Sequence, residues 1–164
     1  MNNKFAKGQT LIEVIVALSV VLLILAAIAV AVTTSVSNST YLKSHNLASK
    51  HAQDGMEYIR HLYENQENFF ESYPEGAEYF MGEDNTIQQG FFEVNIDEQF
   101  VRKVNFQEGV NCNTDVVLDN SEVRVTVSVF WSSGKCKGSS TEERYCHKSE
   151  LVTCFTQRNR GFTL

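Results

Sequence analysis

Residues 7 to 13 read Lys-Gly-Gln-Thr-Leu-Ile-Glu, and nineteen residues follow, Val14 to Val32, in which Ser19 is the only polar side chain. This junction decides how the rest of the chain is built. Nineteen helical residues at about 1.5 Å each span roughly 28 Å, close to the hydrocarbon core of a bilayer. A carboxylate at the mouth of such a helix is costly, so its presence calls for a reason. Glu13 is that carboxylate, placed five residues after Gly8, with Lys4 and Lys7 ahead of it.

Three readings of this start compete. A cleaved secretory signal has a shorter apolar region, about 7–15 residues, followed by a small-residue cleavage site. Here the run is longer, and Ala26 to Ala31 offer only a weak site of that kind. An uncleaved anchor explains the length but not Glu13. A leader cut after Gly8, ahead of the apolar run, explains both and leaves the helix in the mature chain.

Lys7-Gly8-Gln9-Thr10-Leu11-Ile12-Glu13-Val14 resembles the processing site of type IV prepilins and type II secretion pseudopilins. The resemblance is specific over residues 4 to 35. It implies cleavage by a membrane peptidase between Gly8 and Gln9, methylation of Gln9, and a role for Glu13 as an assembly contact. Gln9 departs from the phenylalanine most often found there. The implied partners are other pilin or pseudopilin subunits, the prepilin peptidase, an inner-membrane assembly platform, and membrane lipid before assembly. No cofactor and no catalysis are implied.

The physics of the junction agrees with that role. A cut before Gln9 frees an amine that can pair with Glu13 of a neighbouring subunit, offsetting part of the desolvation of both charges. Gln9 and Glu13 are also four residues apart, so a pair within one helix is open. A third reading has Glu13 reaching into the headgroups, as polar groups near helix ends do.

The net charge is −6, and it becomes −8 once Lys4 and Lys7 leave with the leader. An acidic product is a poor general binder of nucleic acid, and none is expected as a partner. Lys135, Lys137, Arg144, Lys148, Arg158 and Arg160 collect locally, but Glu142, Glu143 and Glu150 interrupt them. After Lys7 no Lys or Arg occurs until Lys43. Positive residues favour the cytoplasmic side, which puts the N-terminus inside and the chain beyond about residue 33 outside. The resemblance then implies a cytoplasmic-membrane protein that passes into a cell-surface or periplasmic filament.

Four cysteines, Cys112, Cys136, Cys146 and Cys154, all lie in the last third. Outside the cytoplasm an even set favours two disulfides, and four cysteines allow three connectivities. The preferred set is Cys136–Cys146, closing one loop, with Cys112–Cys154 tying two strand regions. The rival is zinc, aided by His147, but no C-x-x-C pair supports it. No metal is expected.

Beyond the apolar run the helix is expected to continue. From Thr33 to Phe70 there is no proline and one glycine, Gly55. Ala48, Ala52, Met56, Ile59, Tyr63 and Phe70 fall near helical spacing and form an amphipathic stripe. Pro74, the only proline, is read as the stop. One helix from Thr10 to Glu71 would run some 90 Å. Thr33 to Thr40, rich in Ser and Thr, is its weak link. Residues 71 to 90 read as loop, rich in turn formers.

After Gly90 the texture turns to period two: Phe92-Val94-Ile96, Val101 to Phe106, Val116 to Leu118, and most clearly Val123 to Trp131, before a last strand from Glu150 to Thr156. In Val123 to Trp131 the valines face one side, while Arg124, Thr126 and Ser128 face the other, giving one buried and one wet face. The fold class is α+β: a long N-terminal helix packed against four or five antiparallel strands, an arrangement that also resembles the pilin fold. The expected division is a basic leader removed (1–8), a transmembrane or filament-core helix (9–33), an amphipathic helix (34–73), a β-sheet head (74–157) and a flexible tail (158–164). Arg160-Gly161-Phe162-Thr163-Leu164 mimics the start of a second processing site with no apolar run behind it.

No nucleophile elbow, phosphate loop or H-E-x-x-H appears. His45, His51 and His61 are read as surface histidines and Trp131 as core. Glu83-Asp84-Asn85 and Asp115…Asp119-Asn120 offer oxygen ligands without EF-hand spacing. The functional expectation is a structural minor subunit of a type IV pilus or a type II secretion or competence pseudopilus. The alternative is a filament-tip adhesin or DNA-binding subunit using the 132–146 loop.

Overall fold

The structure, a computed structural model, describes residues 6–66, 68–90, 95–109, 122–133, 136 and 144–156. It divides into two compact units whose boundary falls inside one helix, between Leu42 and Lys43. That helix, α1, runs Ala6–Asn65.

In the first unit α1 carries the apolar run, and every residue from 11 to 42 is exposed. The Ser and Thr positions do not break it. Ser19 donates its hydroxyl to the Val16 carbonyl at 2.8 Å, Thr34 to Val30 at 2.9 Å and Thr40 to Val36 at 3.0 Å. Thr33 reaches both Ala29 and Val30. The expected weak link at 33–40 is therefore ordinary α-helix in the structure, and its three threonine hydroxyls bond back to the preceding turn.

In the second unit the rest of α1 lies on a sheet. Ala48, Ala52, Gly55, Met56 and Ile59 are buried, with Leu47, Leu62 and Tyr63 packed beside them. The small residues at 48, 52 and 55 let the helix approach the strands closely. α1 ends at Asn65, six residues before the expected stop at Glu71. Asn65 donates its side-chain N–H to the His61 carbonyl at 2.7 Å, and Asn68 adopts a left-handed φ of 61°. Asn68 stands three residues past the helix end, at the N-cap of the next element. Phe69–Ser72 then forms one 3₁₀ turn, so Phe70 is buried from that turn and not from the helical stripe. Pro74 comes after the stop and does not cause it.

Six strands are described: β1 Tyr79–Met81, β2 Ile87–Gln89, β3 Asn95–Ile96, β4 Phe100–Glu108, β5 Glu122–Trp131 and β6 His147–Thr156. All pairings are antiparallel, in the order β2-β1-β4-β5-β6, with β3 beside β4. The sheet has more strands than the four or five expected, because β1 and β2 lie in the stretch read as loop. Three residues each, Tyr-Phe-Met and Ile-Gln-Gln, are too short to show a period between turn formers. β6 begins at His147, three residues before the expected Glu150. The runs at 92–94 and 116–118 lie outside the described residues.

β5 follows its valine alternation: Val123, Val125, Val127 and Val129 are each 0% exposed and Trp131 is buried with them. The opposite face is less wet than expected, since Ser128 is buried and Thr126 and Phe130 are half-buried. At one end of the core seven aromatic rings meet: Tyr63, Phe69, Phe70, Tyr73, Tyr79, Phe106 and Phe155, with centroids 4.9 to 6.1 Å apart. The Tyr63 hydroxyl ties α1 to the last strand through the Thr156 carbonyl at 2.6 Å.

Candidate functional site

The expected processing site lies at the start of α1. Gly8 and Gln9 are both in helical backbone, which begins at Ala6. Glu13 comes one turn later and is exposed. Around it the surface is apolar: Leu11 is 62% exposed and Val14 66%. The segment is long and apolar enough to cross a membrane, and none of it is buried. A carboxylate therefore stands at the end of a continuous apolar cylinder.

The sheet domain holds a feature that sequence reasoning missed. Arg102 is only 2% exposed. On β4 it shares the core face with Phe100, Val104 and Phe106, in phase with the period-two pattern. Its guanidinium donates to the His51 carbonyl of α1 at 3.0 Å, the Gly82 carbonyl at 2.6 Å, the Asn85 Oδ1 at 2.7 Å and the Met81 carbonyl at 3.4 Å. All four acceptors are neutral. Burial pulls the Arg102 pKa down to about 10, and nearby Asp54 pulls it part of the way back. The group stays charged at neutral pH. Above it sits Gly55, where a Cβ would come within 2.9 Å of the Arg102 Cδ. The only glycine between Thr33 and Phe70 is thus the seat of a buried arginine. The lone glycine and the arginine in a core phase were the available signals.

The turn that Arg102 grips is built locally. Asn85 has φ 61° and donates its N–H to the Gly82 carbonyl. Asp84 accepts from the Thr86 N–H at 3.0 Å and the Thr86 hydroxyl at 2.8 Å. Those two bonds, the hydroxyl first, hold the Asp84 carboxyl below its usual range. The Asp84 and Asn85 oxygens, candidate calcium ligands by sequence, here serve the turn and Arg102. Asp115 and Asp119 lie outside the described residues.

The histidines are not all surface groups. The His51 ring packs on Phe100 with centroids 5.2 Å apart, and its Nε2 lies 3.5 Å from Asp97 Oδ2. Trp131 carries His147 stacked at 5.4 Å and His45 edge-on at 5.9 Å. His61 is exposed, as expected. So is His45; the helical spacing of His51 beside Ala48 and Ala52 was the signal for its partial burial.

Next to Trp131, Cys136 and Cys146 form a disulfide with Cα atoms 5.5 Å apart. Cys154 is also disulfide-bonded, and its expected partner Cys112 lies outside the described residues. His147 stands close enough to Cys136 and Cys146 for the three ligand atoms to lie within 4.8 Å of one another. Sulfurs joined to each other are not thiolate ligands, so this oxidised group does not have the donors of a zinc site. The outer face of the sheet carries a shallow groove of about 600 Å³, floored by Lys103, Asn105, Arg124, Thr126 and Ser128. Of its lining residues, Lys103 pairs with Glu78, and Glu150 with Lys148 at 2.5 Å.

Residues 3–29 match the family model described as the prokaryotic N-terminal methylation motif. The comparisons with curated proteins and with solved structures each return no significant match. The chain therefore carries a prepilin-type motif ahead of an apolar helix, and its sheet domain completes a pilin-like α+β architecture. Motif and helix together point to membrane anchoring, processing by prepilin peptidase, assembly with other pilins and a structural role.

Proposed function

We propose that this chain is a structural minor subunit of a type IV pilus or of a type II secretion or competence pseudopilus. In this reading prepilin peptidase cuts between Gly8 and Gln9, Gln9 is methylated, and the mature helix enters a filament. The observation that carries it is Glu13 at the end of an exposed apolar helix, within the matched motif. The apolar surface is far larger than a folded domain leaves to water. Lipid covers it before assembly, and the helices of neighbouring subunits cover it afterwards. Glu13 then pairs with the Gln9 amine of a neighbour, and this pair sets how far each helix advances along the next. The reading puts the N-terminus inside and the sheet domain outside.

The deciding experiment is mass spectrometry of the N-terminus of the membrane-extracted protein from cells containing the peptidase. The expected chain begins at methylated Gln9, and an intact Met1 would leave an ordinary membrane anchor. A second measurement separates processing from assembly. Glu13→Ala is expected to be cut normally but to enter filaments at least about tenfold less, a loss of about 1.4 kcal/mol or more. Normal incorporation of that variant would remove the pairing role.

A further inference from the structure

The Cys136–Cys146 disulfide is chemically asymmetric. The Cys136 side is sheltered: the residue is half-buried, and its Sγ accepts the Ser133 N–H at 3.3 Å with the Ser133 hydroxyl 3.9 Å away. A second bond, from the Cys136 N–H to the Ser133 carbonyl at 2.9 Å, fixes that turn. Ser133 in turn is held by His147, whose Nε2 lies 2.8 Å from the hydroxyl, and His147 is stacked on Trp131. Cys146 lies on the other side of the bond and is exposed.

Thiol–disulfide exchange depends on which sulfur is reached and on which thiolate leaves more easily. A hydrogen bond to the charged form stabilises it, so the Ser133 N–H favours a thiolate on Cys136. Access and leaving ability therefore point the same way. We propose that Cys146 is an exchange site for a dithiol–disulfide oxidoreductase, with Cys136 as the resolving sulfur.

The steps balance. During formation the Cys146 thiolate attacks the partner's disulfide, giving a mixed disulfide and a partner thiolate. Cys136 thiolate then attacks the Cys146 sulfur and displaces the second partner thiolate. Two electrons pass from the cysteine pair to the partner, which leaves as a dithiol after taking up the two protons released from Cys136 and Cys146. Reduction runs the same path backwards, with Cys136 leaving first. The inference does not depend on which filament the chain serves, or on whether it serves one.

The test uses the full oxidised chain in detergent. A short pulse of reduced glutathione is stopped by acid, and the free thiols are alkylated. Cleavage after glutamate at Glu122, Glu142, Glu143 and Glu150 puts Cys136 and Cys146 on separate peptides. The expected product carries glutathione on Cys146 and alkyl on Cys136, in about tenfold excess over the reverse. Equal adducts, an excess on Cys136, or a bond that resists reduction would overturn the proposal. Because the readout is the partition within one unmutated protein, misfolding of a variant cannot produce it.

Discussion

Arg102 and Gly55 form the most exacting pair of residues in the sheet domain. A buried guanidinium with four neutral acceptors is held by geometry, since no carboxylate among the described residues bonds to it. Removing it takes one donor from each of three carbonyls and one amide oxygen, while relieving a buried charge; the Gly82 carbonyl keeps the Asn85 N–H. Arg102→Met is expected to lower stability by about 2–4 kcal/mol in urea unfolding of the detergent-solubilised chain, since several acceptors lose partners together. The glycine gives a prediction of sign. Gly to Ala in an exposed helix gains about 1 kcal/mol, yet here the added methyl meets Arg102. Gly55→Ala is expected to destabilise by about 1–2 kcal/mol, the cost of overpacking less the gain in propensity. In the double variant with Arg102→Met that cost should vanish or reverse, and simple additivity would contradict the contact. Neither residue was legible from pattern alone, because an arginine in a hydrophobic phase reads as an interruption until the glycine opposite is known. Asp84 offers a pH test in the same region. Its folded pKa lies below its ordinary 3.8. Its support of the 82–86 turn is therefore complete above that pH and is lost as pH falls through the folded value. The Thr86 amide proton, followed by NMR through acidification, should titrate with a midpoint under 3.8. A midpoint at or above that value would mean the two Thr86 bonds are absent in solution.

Among the elements, legibility tracked length and period. β5 was readable because four valines alternate over ten residues and bury one face. α1 was readable because apolar and then amphipathic spacing persists across sixty residues. β1 and β2 were not, because three-residue strands hold barely one period and owe their conformation to neighbours: β1 pairs with β4 through Tyr79↔Val104 and Phe80↔Lys103. The helix end was misplaced for a related reason. Pro74 is conspicuous, whereas α1 has already ended at Asn65, a position that sequence does not advertise. The β3–β4 turn repeats that lesson. Asp97 and Glu98 have φ of 51° and 55°, and the Gln99 N–H closes the turn on the Ile96 carbonyl. Two positive φ values make a primed turn that prefers Asp-Gly or Asn-Gly. Glu98→Gly is expected to raise stability by about 0.5–1 kcal/mol, seen as a higher thermal midpoint, because a left-handed glutamate is strained. A lower midpoint would show that the Glu98 side chain contributes more than the strain costs.

At the scale of the molecule, the anchor and the sheet domain were legible from two separate stretches. Residues 3–29 carry the prepilin-type motif, and the period-two texture after Gly90 foretells the antiparallel sheet. The cysteines added a constraint on the last third of the chain. Breaking Cys136–Cys146 frees a loop with a sequence separation of 10. The chain-entropy estimate for a loop of that size is about 2.5–3 kcal/mol. Cys136→Ser with Cys146→Ser is expected to lower unfolding stability by about that amount, while N-terminal processing continues unchanged. Loss of processing in that double variant would mean that the sheet domain has to be closed before the peptidase can act.

The hydroxyls of Thr33, Thr34 and Thr40 have one more consequence. Each is already bonded to a carbonyl one turn earlier, so it makes little further demand on water. These three positions, hydrophilic on paper, offer their surroundings mostly methyl groups. Where motif and helix point to a membrane anchor, these three positions would meet a bilayer boundary with little unmet hydrogen-bonding demand.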